Sequence, residues 1–254
     1  MTYCVGLRMN RGILFMSDTR TNAGVDNIST FRKMMSWEKP GERAITVMTA
    51  GNLATTQSVI SLLDERMKAP GDRAPSIFEA PSMFQVARLV GDTLREVIQA
   101  NANTGATADS AFNATMIVGG QIAGGEPRLF LVYPEGNFVE ASDDTPFFQI
   151  GETKYGRPII LRAYDPAMSF EDAIKLLLVS FDSTIKANLS VDLPIDLQVI
   201  ETDALELGYA ARIERGDPYF ELISNGWGEA LKTAFLSLPD YKRAPSDSET
   251  VNLS

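Results

Sequence analysis

The chain has 254 residues, 44% of them apolar, enough for a sizeable core in one large or two small domains. Its 23 Lys and Arg against 33 Asp and Glu leave a net charge of −10, a field that a nucleic-acid partner would have to overcome. No apolar stretch approaches the ~18–20 residues of a membrane span, the N-terminus lacks the basic-then-apolar pattern of a secretory signal, and a lone Cys4 fits a reducing cytoplasm rather than a disulfide framework.

Taken in order, Tyr3 to Met9 and Ile13 to Ser17 are apolar, β-favouring runs around Asn10-Arg11-Gly12, a strand–turn–strand signature. A turn at 9–12 pairs residues whose numbers sum to roughly 20–22, which sets Thr2 almost opposite Asp18 at the open end of the hairpin. A polar loop leads to Lys33, Met34–Trp37 reads as a short strand, and 38–42 as a turn. Residues 43–50 form another strand. Gly51-Asn52 then opens a helical pattern whose apolar positions are Leu53, Val59, Ile60, Leu62 and Leu63. Residues 68–82 hold three prolines and a glycine, hence a loop, and 83–100 form a second helix with Val86, Leu89, Val90, Leu94 and Val97 as its stripe.

A polar loop spans 101–110. Residues 112–118 and 128–133 read as strands joined by GGQIAGGEP. That segment has neither GxxxxGK[ST] nor GxGxxG and no strand-to-helix context, so it reads as a hairpin connection and not a phosphate cradle. Short strands follow at 137–141 and 147–150, then a short helix ending near Ala163. Ser169-Phe-Glu-Asp172 is a capping box opening a helix to Ala187. Strands at 195–202 and 209–213 and a helix at 225–238 complete a single domain over 1–239, with a polar tail over 240–254. A pair of sheets between helical layers explains this order.

The chemistry gathers at the start. A hydroxyl (Thr2), a carboxylate (Asp18) and an amine (Lys33) converge at one end of one sheet. Threonine is small enough for Met1 to be trimmed, and the freed α-amine, with a reference pKa of about 7.7–8.0, can serve as base for its own hydroxyl. Lys33, desolvated and paired with Asp18, can lower the barrier to deprotonation. None of this needs histidine. The chain contains none, which excludes Ser-His-Asp and Cys-His catalysis and any His-ligated zinc. The strand–Gly51–helix transition adds a place where backbone N–H groups can meet an oxyanion. Singly, each residue has an ordinary reading: Met-Thr is a common start, Asp18 a strand end, Lys33 beside Arg32 a solvated charge, and Gly51 a turn. Together they make a coherent nucleophile, base and oxyanion site. Cys4, neither terminal nor beside an evident base, reads as a buried small hydrophobe.

MTYCVGLR…ILFMSDTRTN…FRKM…TAGN resembles the N-terminal-threonine hydrolases of the proteasome β-subunit type, and looks closest to the bacterial branch called Anbu, the ancestral β-subunit. The resemblance extends over most of the chain, with its specific motifs in the first fifty or so residues. It implies an α+β fold, a four-layer αββα sandwich of two antiparallel sheets between helical layers. It also implies Thr2 as nucleophile, Asp18, Arg20 and Lys33 around it, and Gly51 as the oxyanion donor. Thr21, Met35 and Thr49 would line a moderate, partly apolar substrate pocket without charge selectivity.

Some features depart from that pattern. Asp18 and Lys33 are 15 residues apart, one fewer than in ordinary proteasome β-subunits. The family's serine near the terminal amine falls at Gly151-Glu152-Thr153, where Thr153 can replace the hydroxyl and Glu152 can instead supply a charge. Its Asp-x-x-Ser support falls near Asn188-Leu189-Ser190, where Asn188 keeps hydrogen bonding but loses charge. The implied activity is that of a threonine peptidase or amidohydrolase acting on peptide or protein, self-assembled into a ring or open spiral. It needs no metal or organic cofactor and no nucleic-acid or membrane partner. The alternatives are a catalytically silent assembly subunit or peptide-binding scaffold, and an amidase for small amides.

Overall fold

The hairpin forms where the two apolar runs and the turn direct it. In the computed structural model, which describes residues 2–22, 28–68, 75–102 and 112–242, β1 (Tyr3–Met9) and β2 (Gly12–Asp18) pair antiparallel from Met9 opposite Gly12 to Cys4 opposite Ser17. The middle of the proline-rich loop, most of the expected 101–110 loop and the tail from 243 onward lie outside the described residues.

Between the hairpin and Lys33 the sequence predicts only a polar loop. The chain instead makes a small two-stranded sheet from β3 (Arg20–Asn22) and β4 (Ile28–Thr30). Three-residue strands are too short to leave an alternating apolar signal. β5 (Met34–Lys39) and β6 (Arg43–Gly51) follow. Asn52 caps α1 (Leu53–Lys68), its Oδ1 accepting Thr55 N–H at 3.0 Å. α2 (Met83–Ala102) precedes β7 (Ala114–Ile122), β8 (Arg128–Val132), β9 (Phe138–Glu140) and β10 (Phe147–Gly151). β7 runs into the glycine-rich stretch read from sequence as a connection. Its two glycines are needed inside the strand: a Cβ on Gly119 would lie 2.7 Å from Phe15 Cζ, and one on Gly120 would overlap the Ala44 carbonyl.

The remaining elements are α3 (Arg157–Ala163), α4 (Phe170–Ala187), β11 (Ile195–Glu201), β12 (Ala210–Ile213) and α5 (Pro218–Leu236). α4 starts at the predicted cap, with Ser169 Oγ accepting Asp172 N–H at 3.0 Å. α5 begins well before the expected 225. Asp217 accepts from Tyr219 and Phe220 N–H and Pro218 occupies the first turn, an N-terminus signature that Asp-Pro already carried in the sequence.

Two five-stranded antiparallel sheets, in the orders β10-β1-β2-β11-β12 and β5-β6-β7-β8-β9, stack face to face. Strand alternation sorts their side chains into three apolar layers. Tyr3, Val5, Leu7, Leu14 and Met16 face α3, α4 and α5 together with Leu177, Phe181 and Phe220. Ile45, Val47, Met116 and Val118 face α1 and α2. Cys4, Ile13, Phe15, Met48, Ile117 and Leu129 fill the space between the sheets. The result is the four-layer αββα sandwich.

Phe15 is fully buried at the centre of the middle layer. Phe15→Ala is expected to cost about 3–5 kcal/mol. Denaturant unfolding at fixed protein concentration would show it as a lower midpoint with an unchanged slope.

Candidate active site

Thr2 sits at the head of β1, and that strand is fastened before any chemistry is considered. The Tyr3 hydroxyl accepts from Gln149 Nε2 at 2.6 Å and shares a 2.7 Å bond with Ser180 Oγ of α4, while its ring packs on Phe181 at 4.5 Å. On the other side, the Thr2 carbonyl accepts Glu152 N–H at 2.6 Å. Gly151, at φ +82°, leaves room for that contact, because a Cβ there would overlap the Thr2 carbonyl.

The hairpin register brings Asp18 across from Tyr3, whose N–H donates to Asp18 Oδ1 at 2.9 Å. Lys33 Nζ donates to the same oxygen at 2.7 Å and to the Arg20 carbonyl at 2.6 Å. Both side chains are buried. Burial pushes the Asp18 carboxyl up to about 6, against the pull of Lys33 and of the Tyr3 N–H, so it is ionised at neutral pH and protonates in mild acid. Lys33 is held by its backbone as well, its carbonyl accepting Thr49 N–H at 2.9 Å. Antiparallel alternation turns the N–H of Gly51, two residues on, to the same side as that of Thr49. There β5 gives it no opposite residue, since β5 begins with Met34 paired to Met48. Gly51 adopts φ +118° and lines the cavity beside Thr2.

That cavity holds about 660 Å³ and brings together Thr2, Lys33, Gly51 and the three expected pocket residues, Thr21, Met35 and Thr49. Its far wall was not expected: Leu53, Thr56, Gln57, Ile60 and Ser61 of α1 line it at helical spacing, and Arg32 stands beside Lys33. Leu53 and Ile60 count among the apolar positions of α1 in the sequence, but Thr56, Gln57 and Ser61 beside them carry no apolar signal, and Val59 and Leu63 of the same pattern enter the core. Cys4 lies behind the site, fully buried, its Sγ 3.8 Å from the Thr49 carbonyl, and burial pushes its thiol far above the ordinary range.

The supporting residues form two groups. Asn188, at the C-terminus of α4, donates from Nδ2 to Glu152 Oε2 at 3.0 Å and accepts Ser190 N–H at 3.0 Å on Oδ1. It is therefore buried Glu152, and not Thr153, whose side chain joins Asn188. Arg20 contributes its carbonyl to Lys33, while its guanidinium donates from Nη1 to Asp192 Oδ2 at 2.6 Å; Arg215 reaches the same oxygen. Sequence reading missed Asp192 and Arg215. An ion pair across 172 residues leaves no local pattern to find.

The sequence matches the family model described as proteasome subunit over residues 2–200. Among solved structures, it is similar to an Anbu (Gly-1) mutant from Hyphomicrobium sp. strain MC1, with 47% identity, TM-score 0.89 and coverage of 96% of this chain and 100% of that one. It is similar also to Anbu (ancestral beta-subunit) from Yersinia bercovieri, with 46% identity, TM-score 0.89 and the same coverage. A third, the helical assembly of the Anbu complex from Pseudomonas aeruginosa, has 43% identity and TM-score 0.86, covering 97% of this chain and 99% of that one. No curated protein matches the sequence.

The Arg20–Asp192 pair is largely shielded, its side chains 18% and 14% exposed, while Arg215 on the same carboxylate is 67% exposed; Asp143, paired with Arg8, is 98% exposed. Removing one partner of a shielded pair strands the other. Asp192→Ala is thus expected to cost about 1–3 kcal/mol, read as a lower midpoint in thermal unfolding. Asp143→Ala, measured alongside, should leave that midpoint in place.

Proposed function

The chain belongs to the proteasome subunit family, in its Anbu (ancestral β-subunit) branch, and from that membership we propose that it is a threonine-type N-terminal nucleophile hydrolase of peptide substrates. The observation that carries this reading is the meeting of Thr2, the Lys33–Asp18 pair and Gly51 around a single cavity.

Removal of Met1 frees the Thr2 α-amine. The amine takes the Oγ1 proton through a water as Oγ1 attacks the scissile carbonyl, and the carbonyl oxygen becomes an oxyanion facing the Gly51 N–H. One such donor is worth about 2.7–4 kcal/mol in the transition state. The ammonium of Lys33, neutralised by Asp18 and fixed by the Arg20 carbonyl, favours the developing alkoxide without moving as it forms. The α-ammonium then protonates the departing amine, an ester links the acyl group to Thr2, and water, activated by the same amine, releases the acid.

Self-association accompanies this reading. α5 leaves Leu222, Leu231, Phe235 and Leu236 exposed, large apolar side chains of the kind that a second copy covers. The relative described as a helical assembly supports the same expectation. A reducing cytoplasm suits the unpaired Cys4. One feature favours a second reading, a silent assembly subunit: beside the Thr2 carbonyl, where the family pattern has a serine hydroxyl near the terminal amine, stands buried Glu152, its side chain already engaged by Asn188 Nδ2 and by Lys154 N–H.

Intact mass measured with and without a peptide epoxyketone separates the two, because the reagent requires both a free threonine amine and its hydroxyl. The hydrolase reading expects loss of Met1 and one adduct in the wild type, and none in Thr2→Ala. Loss of Met1 with no adduct would favour the silent subunit.

The acid limb of adduct formation carries a second expectation. Above pH 6 the rate should follow the free amine alone. Below about 6 Asp18 gains its proton and the Lys33 pair is lost, so the slope against pH should steepen from one to two. In Asp18→Asn the steepening should vanish, and the rate at neutral pH should fall by about a hundredfold or more.

A further inference from the structure

Among the described residues, the cavity beside Thr2 carries one cation with no partner. Lys33 is committed to Asp18 and the Arg20 carbonyl. Arg32 is exposed and makes no hydrogen bond or ion pair among the described residues, although it lines the cavity. Among the described residues no Asp or Glu lines that cavity. Arg32 also borders a second crevice that holds Asp64 and Asp196, yet both acids are engaged. Asp64 accepts Trp37 Nε1 at 2.8 Å, and Asp196 is held by Arg212 through two bonds of 2.6 and 2.8 Å.

An unpaired guanidinium in a chain of net charge −10 is a planar donor fork awaiting an acceptor. The walls leading to it are Met35, Leu53 and Ile60, which suit methylene groups, with the hydroxyls of Thr21 and Thr49 near Thr2. We propose that the cavity reads the side chain on the acyl side of the scissile bond, and that Arg32 makes it select a carboxylate, glutamate in preference to its uncharged isostere. This rests on the threonine-hydrolase reading and gives it a substrate class. It also replaces the expectation of a pocket without charge selectivity. The long-range field of the protein opposes an acidic ligand, but that field is screened over about 8 Å at physiological salt, so a preference for glutamate would report the local cation.

The test uses three peptide epoxyketones identical except for Glu, Gln or Lys at the residue bearing the ketone. The rate of adduct formation is followed by intact mass on the mature full-length protein. The glutamate reagent should react about fivefold faster with the wild type, as expected of a partly exposed ion pair. The ratio should fall to about one in Arg32→Gln and decline at high salt. Arg32→Glu should invert the preference, so that a lysine reagent outruns the glutamine one. Because each variant is judged by a ratio of two reagents, a general loss of reactivity cancels. Equal wild-type rates, or a ratio that survives Arg32→Gln, overturn the inference while leaving Thr2 as the nucleophile. No adduct from any reagent on a chain that has lost Met1 removes the hydrolase reading, and this inference with it.

Discussion

The buried contact between Lys33 and Asp18 is the constraint around which the site is arranged. An ammonium and a carboxylate removed from water each carry a desolvation cost that their attraction offsets only when the geometry is held. Asp18 registers that cost directly, since its carboxyl stands near 6 even with Lys33 2.7 Å away and a backbone N–H on the same oxygen. Such a pair persists because neither partner can relax. Asp18 is fixed by the hairpin register, and Lys33 by its backbone bond to Thr49 on the other sheet. The pair therefore bridges β2 and β6, tying the two sheets together at the end where Thr2 emerges.

From that bridge the need for the outer helices follows. On the proposed reading β1 has to hold Thr2 closely in place, and a strand that ends at the surface frays unless its first residues are tied down. Tyr3 provides the tie by turning away from the inter-sheet layer into α4. Across from it, Glu152 holds the Thr2 carbonyl while Asn188 holds Glu152, so the C-terminus of α4 braces the same residue from the other side. Arg20 joins a further segment: Asp192 grips its guanidinium while its carbonyl receives Lys33, and Thr19 donates to the Pro194 carbonyl alongside. Support of this kind fixes orientation and touches no reacting atom.

How much of this the sequence carried depends on the distance over which each feature is encoded. The hairpin, its register and the convergence of Thr2, Asp18 and Lys33 were legible, because a tight turn fixes pairing over a few residues. The glycine at the end of β6 and the cap of α4 were legible for the same local reason. Glu152 was recognised as a source of charge, but not as the partner of Asn188. Asp192 and Arg215 were invisible, since their roles exist only once distant segments meet. The cavity wall contributed by α1 was hidden for another reason. Leu53, Thr56, Gln57, Ile60 and Ser61 share a helix face, but a face that borders a cavity is mixed in polarity, so periodicity marks Leu53 and Ile60 as apolar positions without marking Thr56, Gln57 and Ser61 as their neighbours. α5 extends further toward the N-terminus than its apolar pattern shows, because most of its apolar residues face outward and blur that pattern, although Asp217-Pro218 marks its start.

The placement of Cys4 shows why position outranks intrinsic reactivity here. Cysteine is the stronger nucleophile, and Cys4 is two residues from Thr2 on the same strand, within the electrostatic reach of both Asp18 and Lys33. Yet its sulfur is sealed between the sheets, its proton held by burial and by the nearby Asp18, and no substrate carbonyl can reach it. Thr2 lies at the mouth of the cavity, where its hydroxyl can meet both a carbonyl and, on the proposed reading, its own amine. A threonine needs more activation than a thiol, and on the proposed reading the buried pair of Lys33 and Asp18 supplies it. The same sandwich that makes Cys4 a packing residue thus sets Thr2, on the proposed reading, where a nucleophile would stand.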